Sequence, residues 1–484
     1  MALVTKNFSD IITFSRSSGA TWFNSAGILQ GVDFSVTSNT IGTGSKSFTL
    51  TATAGVNRYW TAGDTVLISD QANSANNMVG TVTSYNASTQ VLVCDITSTG
   101  GSGTITSWRI GSTMPRFDYD PSTLAAQGLL IEEARTNLLT YSEDFSDASW
   151  VKTDVTVTVD NTTAPAGTTT ADLLTEGTAG TAAITRSASA TVSAGATVTG
   201  SFFVKRSAVV QWIRVRLSNS AGTNGGNVWF DIQNGVLGNQ TNLGSGTATS
   251  GTITLINNGW YRVTVTTTLA AGDTTSLLLF TSASANGSTT RVNNSAYWAW
   301  GAQLEAGAFP TSYIPTTTTA LTRSADDARV NVLSPWYNQT AGTLFVERIQ
   351  QPLDPVSARR YINICDGSTA NSIQKYQATG GISAAVTAIG GVASFGPSPT
   401  GVPAQNSIVR TALSFDGISK SMCRDAGTVF TDAIASPTSG MTTMFIGSQL
   451  GTAGPAVQFS CTHIRRITYY PRRLSNAELV SITS

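Results

Sequence analysis

The sequence predicts an all-β, multidomain protein: a small inserted β-barrel plus two β-sandwich jelly rolls in series. Three observations predict this. Short runs rich in Val, Ile, Thr, Phe and Tyr alternate with polar residues at a period of two, the repeat of a strand with one buried face. Clusters of Gly, Asn and Ser separate these runs, as turns between strands do. The chain has 484 residues, a length that accommodates about two to four domains.

Composition narrows the function. Charged residues make up 12% of the chain and the formal net charge is +0, against a typical charged fraction of roughly 25%. Such a surface carries no electrostatic footprint for nucleic acid or for an anionic membrane. Ten Trp and eighteen Phe supply core and argue against disorder. No basic flank precedes a long apolar run and no apolar span reaches about 18 residues, so synthesis in a cytoplasm without membrane insertion is expected. Cys94, Cys365, Cys423 and Cys461 show no CxxC spacing and read as free, mostly buried thiols. His463 is the single histidine. That excludes a two-histidine metal site and makes a Ser-His-Asp or Cys-His site unexpected. It has no carboxylate nearby in sequence and reads as a strand or surface residue. No metal and no cofactor is expected.

In chain order, residues 1–32 read as a leader with turns at Ser17-Ser18-Gly19 and Asn24-Ser25-Ala26-Gly27. Residues 33–111 read as an inserted small barrel. Its strands are expected at Phe48–Thr51, Asp64–Ile68 and Ser107–Ile110, with a hairpin of Gly80–Tyr85 and Gln90–Cys94 turning at Asn86–Thr89. Residues 112–140 form a charged junction. Residues 141–328 carry strand after strand, including Ala182–Arg186, Val198–Val204, Trp212–Leu217, Gly259–Val265 and Ala296–Leu304, and read as a jelly roll. Pro310–Pro315 and the threonines after it read as an extended linker. Residues 329–484 alternate again and end in Pro471 and Ser475-Asn476-Ala477-Glu478, the spacing of a capping box opening a short helix.

Three ordered motifs carry a resemblance. GLLIEEARTNLLTYSEDFSDASW, beginning at Gly128, resembles a segment recurring in tailed-phage virion proteins, in head-spike fibres and tail fibres. ITFSRSSGATWFNSAGILQ (12–30) and WGAQLEAGAFPTSYIPT (300–316) match the same group, and the terminal YYPRRLSNAEL looks like the end of a concanavalin A-like domain. In the resembling proteins the leader runs almost directly into PRFDYDP, which marks 33–111 as an insertion. The resemblance implies a virion fibre or spike subunit assembled in the host bacterial cytoplasm. It implies a carbohydrate-binding-module-like jelly roll at 141–328 and a concanavalin A-like lectin or laminin G-like domain at 329–484. The implied partners are other virion proteins at a capsid or tail attachment site, host surface polysaccharide, and two further copies in a homotrimer.

Little in the chain suggests turnover. Glu132 and Glu133 are the obvious carboxylate pair, but a glycosidase needs two carboxylates facing one sugar about 5–10 Å apart. Neighbours on a strand point to opposite faces. A structural junction, with Glu132 or Glu133 paired to Arg116 or Arg135, is the plainer reading. Asp118 and Asp120 could supply oxygen ligands to Ca²⁺, although an Asx-type turn before Pro121 accounts for them. GTGSK at 42–46 lacks the spacing of a phosphate loop.

Aromatics remain as candidates for sugar stacking. Trp212 shares a strand face with Arg214 and Arg216, opposite Ile213, Val215 and Leu217. Trp298, Trp300, Ala302 and Leu304 read as a core face. Tyr297, Ala299, Gly301 and Gln303 then form the other, left open by small residues. The candidate glycan-binding residues are therefore Trp212, Arg214, Arg216, Trp229, Tyr297 and Gln303. The competing reading makes these tryptophans and tyrosines, with Trp260 and Tyr261, packing residues throughout. A non-enzymatic spike or fibre subunit that binds host glycan is expected. The alternatives are an adaptor that binds only other virion proteins and a depolymerase, which would more often show a β-helix repeat with clustered acids.

Overall fold

The computed structural model describes residues 11–51, 58, 60–178, 184–207, 209–350, 358–378, 383–396, 399–433, 435–437, 439–450, 456–457 and 459–484. Nearly every element is a strand, and the helix Asn476–Ile482 closes the chain.

The inserted barrel is a six-stranded antiparallel sheet in the order Val32–Ser35, Trp108–Ser112, Thr65–Asp70, Asn77–Asn86, Val91–Gly100, Gly44–Thr49. A bridge between Ser35 and Leu50 and the Thr51 N–H to Phe34 carbonyl bond bring its two edges together. Phe48, Val66, Ile68, Met78, Leu92, Trp108 and Ile110 fill it, because alternate residues of each strand face inward. Val32 pairs with Gly111, so the chain enters and leaves the barrel side by side. A Cβ on Gly111 would lie 2.5 Å from the Cα of Gly19, so only glycine permits this approach of leader and barrel.

The middle sandwich stacks two antiparallel sheets. One runs Trp150–Thr153, Ile184–Ser187, Thr275–Ala283, Trp212–Ser218, Gly225–Asp231, Val236–Leu243. The other runs Val155–Thr162, Ala171–Glu176, Ala296–Ala306, Thr197–Arg206, Trp260–Thr268, Thr247–Leu255. Ile213, Val215 and Leu217 point inward with Phe145, Trp150, Phe202, Phe230 and Phe280. The rings of Phe202 and Phe280 stack at 4.4 Å. Ala182 and Ala183, expected to begin a strand, lie outside the described residues.

The strand Ala296–Ala306 departs from simple alternation. Its pairing with Thr197–Arg206 slips between Ser201 and Phe203, and Gly301 sits at φ +63. This bulge inserts an extra residue and reverses the facing of everything beyond it. Tyr297 and Ala299 before it, and Ala302 and Leu304 after it, therefore all enter the sandwich core. Trp298 and Trp300 go to the opposite side, into a second cluster with Leu29, Phe203, Trp260 and Tyr313. The expectation of a continuous Trp298-Trp300-Ala302-Leu304 face is thus corrected.

The last sandwich borrows strands from the front of the chain. One sheet begins with Thr13–Ser15 beside Asp327–Val330, and continues through Thr443–Ile446, Arg359–Cys365, Ser372–Gln377, Ser383–Ile389 and Val392–Phe395. The other begins with Arg116–Tyr119 and Ala126–Ile131, then Thr462–Tyr470, Ala341–Ile349, Ile408–Asp416, Lys420–Arg424 and Phe430–Asp432. The terminal helix has both halves of the capping box, Ser475 to the Glu478 N–H and Glu478 back to Ser475. It packs Leu479 against Phe345 and Cys423. All four cysteines are free and buried. The expected extended linker is instead packed: Thr311, Tyr313, Ile314 and Thr316 are each 2% exposed. Its aromatic and polar residues complete the outer cluster of the middle sandwich rather than spanning solvent.

Candidate functional site

Two regions gather charged or aromatic side chains, and they differ in how the charge is balanced. The first is a buried junction. Arg116 donates to Glu132 at 2.7 Å and also reaches Asp326. Arg16 donates to the other oxygen of Asp326 at 2.8 Å, and Arg323 stands 3.5 Å from Glu132. Glu132 further accepts from the backbone and hydroxyl of Ser312, and Asp326 from the backbone N–H of Glu132. Burial alone would raise both acids, but the surrounding arginines outweigh it and hold Glu132 and Asp326 below the usual carboxylate range. Burial pulls Arg16 down to about 10. Beside this cluster, Arg135 pairs with Glu133, which also lies 3.5 Å from Arg359. Each of the segments 12–30, 115–150 and 300–316 contributes a residue to this junction: Arg16, then Arg116 with Glu132, then Ser312.

Nearby, Asp118 accepts from the Phe23 N–H and lies 2.7 Å from Nε2 of His463. His463 therefore does have a carboxylate partner, supplied across 345 positions of sequence, which a search of its neighbours could not find. Asp120 accepts from the Ser122 and Thr123 N–H groups in a turn, which burial opposes and those bonds favour, lowering its pKa.

The second region is the outer face of the middle sandwich. Trp212, Arg214 and Arg216 project from one strand, away from Ile213, Val215 and Leu217. Registers place Arg214 opposite Trp229 and Thr281, and Arg216 opposite Asn227. Trp212 is half-buried and lies over Gly238, where a Cβ would meet its ring at 2.6 Å and Asn286 at 2.4 Å. Gly238 thus leaves room for the indole, and Asn286 stands at its rim. Arg216 donates to Asn227 at 2.9 Å. Arg214 is 8% exposed, its Nε has no hydrogen-bond partner, and no carboxylate of the described residues lies within ion-pair distance. Burial, then the neighbouring Arg216, lower its pKa, against a weaker pull from Glu176.

The other expected binders are corrected. Trp229 is 3% exposed, under the segment that holds Ser288, to whose carbonyl its Nε1 donates. Tyr297 is fully buried with its hydroxyl on Glu176. Gln303 is also fully buried, donating to Glu305 and accepting from the Ile314 N–H. The bulge at Gly301 puts Tyr297 on the core side, which the period-two reading did not assign to it, whereas Gln303 keeps the face opposite Ala302 and Leu304 and is buried because the packed segment that holds Ile314 covers it. Of the six candidates, Trp212, Arg214 and Arg216 come together on one face, and Trp229 shares that face under the segment that holds Ser288.

A groove of about 660 Å³ went unseen in the sequence. Phe14, Trp22, Trp60 and Phe117 line it, with Arg58 and Asp64 as polar groups. Phe117 is 47% exposed. These aromatics come from leader, barrel and junction, and no local spacing links them.

No family profile matches the chain, and no curated protein matches it. Among solved structures the chain is similar to the CBM40 of the Ruminococcus gnavus IT-sialidase bound to alpha2,3 sialyllactose, at 14% identity over 30% of this chain and 83% of that one, with a TM-score of 0.26. It is similar to domains LG4-5 of the mouse laminin alpha1 chain, at 10% identity over 60% of this chain and 87% of that one, with a TM-score of 0.24. It is also similar to Trypanosoma rangeli sialidase, at 11% identity over 97% of this chain and 94% of that one, with a TM-score of 0.26. Likenesses at these TM-scores carry no argument about the activity of the chain, which its own residues must supply.

Proposed function

We propose that the chain is a non-enzymatic virion spike or fibre subunit, located in the phage particle, that binds host surface glycan. The observation that carries the binding part is the half-buried Trp212 ring, seated over Gly238 beside Arg214, Arg216, Asn227 and Asn286. A flat ring with amides and guanidiniums at its edge suits a pyranose, which offers an apolar face and a rim of hydroxyls. The virion part rests on the three resembling segments. That each contributes to one buried junction supports reading them as a shared structural core.

Single-site affinity on such a face is weak, and several copies in a trimer raise adsorption by a hundredfold or more. Light scattering at micromolar concentration tests the trimer, and a stable monomer would contradict it. Glycan-array binding by the full chain, with no sugar fragments released on incubation, is the expected functional result. Cleavage of a polysaccharide would overturn the non-enzymatic reading. The aromatic groove favours a second reading, an adaptor that receives another virion protein against Phe14, Trp22 and Phe117. Arrays without a hit, together with capture of a virion protein that Phe117→Ser abolishes, would decide for it.

A further inference from the structure

Arg214 is an uncommon residue to leave in this state. A guanidinium taken out of water normally has an acid beside it, since an unpaired buried charge is strongly disfavoured. The junction obeys that rule, with Arg16 and Arg116 on Asp326 and Glu132. Some other cations without an acid find substitutes: Arg348 lies over the Tyr361 ring at 4.0 Å, and Lys375 donates to the carbonyls of Leu344 and Thr411, whereas Arg109 on the barrel strand Trp108–Ser112 is, like Arg214, buried with an orphaned Nε. Among the described residues Arg214 has neither an acid nor a hydrogen-bond acceptor, and its Nε is orphaned.

Its surroundings are arranged rather than accidental. Arg216 lies two residues along the same strand, so the two side chains share one face about 7 Å apart along the backbone. Arg216 uses its Nε on Asn227, which fixes the plane of the guanidinium and leaves its other nitrogens without an acceptor among the described residues. Trp212 continues the row on the other side of Arg214. Arg214 is sunk between two half-exposed neighbours, with Trp229 and Thr281 flanking it across the sheet. Glu176, the acid whose charge acts on Arg214, is already occupied: it accepts from Ser282, Ser295, Thr281 and Tyr297.

We infer that the Trp212-Arg214-Arg216 row takes an acidic sugar, its ring on Trp212 and its carboxylate on the guanidinium of Arg214. This rests on the glycan-binding reading and deepens it by naming the ligand class. The carboxylate supplies the missing counter-charge. It can be met by two parallel N–H donors, a geometry that guanidinium offers and ammonium does not. The sugar ring covers the indole while the carboxylate lies over the arginines, so both contacts are made by one residue of the glycan. Mutual repulsion of the two arginines is relieved when the anion arrives. Binding should therefore weaken as salt rises, more than stacking alone would.

The test uses the full chain and calorimetric or NMR titration with an oligogalacturonate, and with the same oligosaccharide after reduction of its carboxyls to alcohols. The expected result is at least about tenfold tighter binding of the acidic form, a size typical of a charge-assisted bidentate contact. Arg214→Gln should abolish that preference while leaving the melting temperature unchanged or higher, and Arg214→Lys should restore part of it. Equal binding of the two oligosaccharides by the parent overturns the acidic-sugar inference and leaves glycan binding standing. Binding of neither overturns the acidic-sugar inference, and the glycan array then decides the glycan-binding reading by itself. A preference that survives Arg214→Gln overturns the assignment to this residue. Inorganic phosphate or sulfate competing at the same concentration as the oligosaccharide would mark a general anion site and overturn the sugar part.

Discussion

The buried junction and the outer face of the middle sandwich both hold arginines removed from water, yet one neutralises them internally and the other does not. At the junction, Arg16, Arg116 and Arg323 surround Glu132 and Asp326. The groups come from strands and loops that belong to different parts of the chain, so the ion pairs fix how those parts meet. On the outer face, Arg214 and Arg216 come from a single strand that the core already holds in place through Ile213, Val215 and Leu217. Nothing structural requires their charge there. Balanced buried charge therefore reads as architecture, and unbalanced buried charge as a place for something to bind.

Four substitutions in two matched pairs, each with the larger effect first, and then a pH scan sharpen this contrast. Arg116→Ala leaves two buried acids without their shared partner and should cost about 3–5 kcal/mol in urea unfolding. Arg214→Gln, the same kind of deletion on the outer face, should stay within about 1 kcal/mol of the parent and on the stabilising side. Equal losses in the two variants would erase the distinction. Trp260 and Trp212 make the matching pair for aromatics. Trp260 is 1% exposed with its Nε1 on the Thr163 carbonyl, so Trp260→Ala should cost about 3–5 kcal/mol. Half-buried Trp212→Ala should cost only about 1–2 kcal/mol while weakening adsorption. A Trp212 loss as large as that of Trp260 would return it to the core.

The pH scan separates two kinds of acid. Glu132 is depressed, so its stabilisation is present above the ordinary carboxylate range and is lost as pH falls into and below it. Glu143 behaves oppositely. Burial in the cleft beside Asp33 and Tyr313 raises it to about 7, with the Tyr313 hydroxyl pulling the other way. Burial likewise raises Asp172 to about 6. An acid whose folded pKa is raised stabilises the fold while protonated, fully below its ordinary pKa of about 4, and loses that contribution as pH climbs through the folded value. The parent should lose a few degrees of melting temperature between pH 5 and pH 7.5 by this route, and Glu143→Gln should lose less. Parallel curves for parent and variant would mean that Glu143 is solvated.

The amino-acid sequence by itself determined the all-β class, because side-chain alternation is a local property of a strand. The facing of Trp212 through Leu217 and the capping box of the last helix were legible for the same reason, since each depends on residues a few positions apart, and Arg116 could be named for Glu132 because both lie in one short charged stretch, 16 positions apart. What the tertiary structure alone decided depends on distance in sequence or on a single extra residue. The bulge at Gly301 put Tyr297 on the same core side as Ala302 and Leu304, since one inserted residue flips a two-residue period, and Gln303 was buried by the segment that folds back over its face. The Asp118 partner of His463, the Asp326 that holds Arg16 and Arg116, and the four aromatics of the groove all meet through long-range strand pairing. Above all, sequence showed that Arg214 lies on an outward face, but only packing could leave it both buried and unpaired. Burial and pairing belong to what surrounds a residue, and the surroundings of Arg214 are built from strands brought together by the whole sandwich.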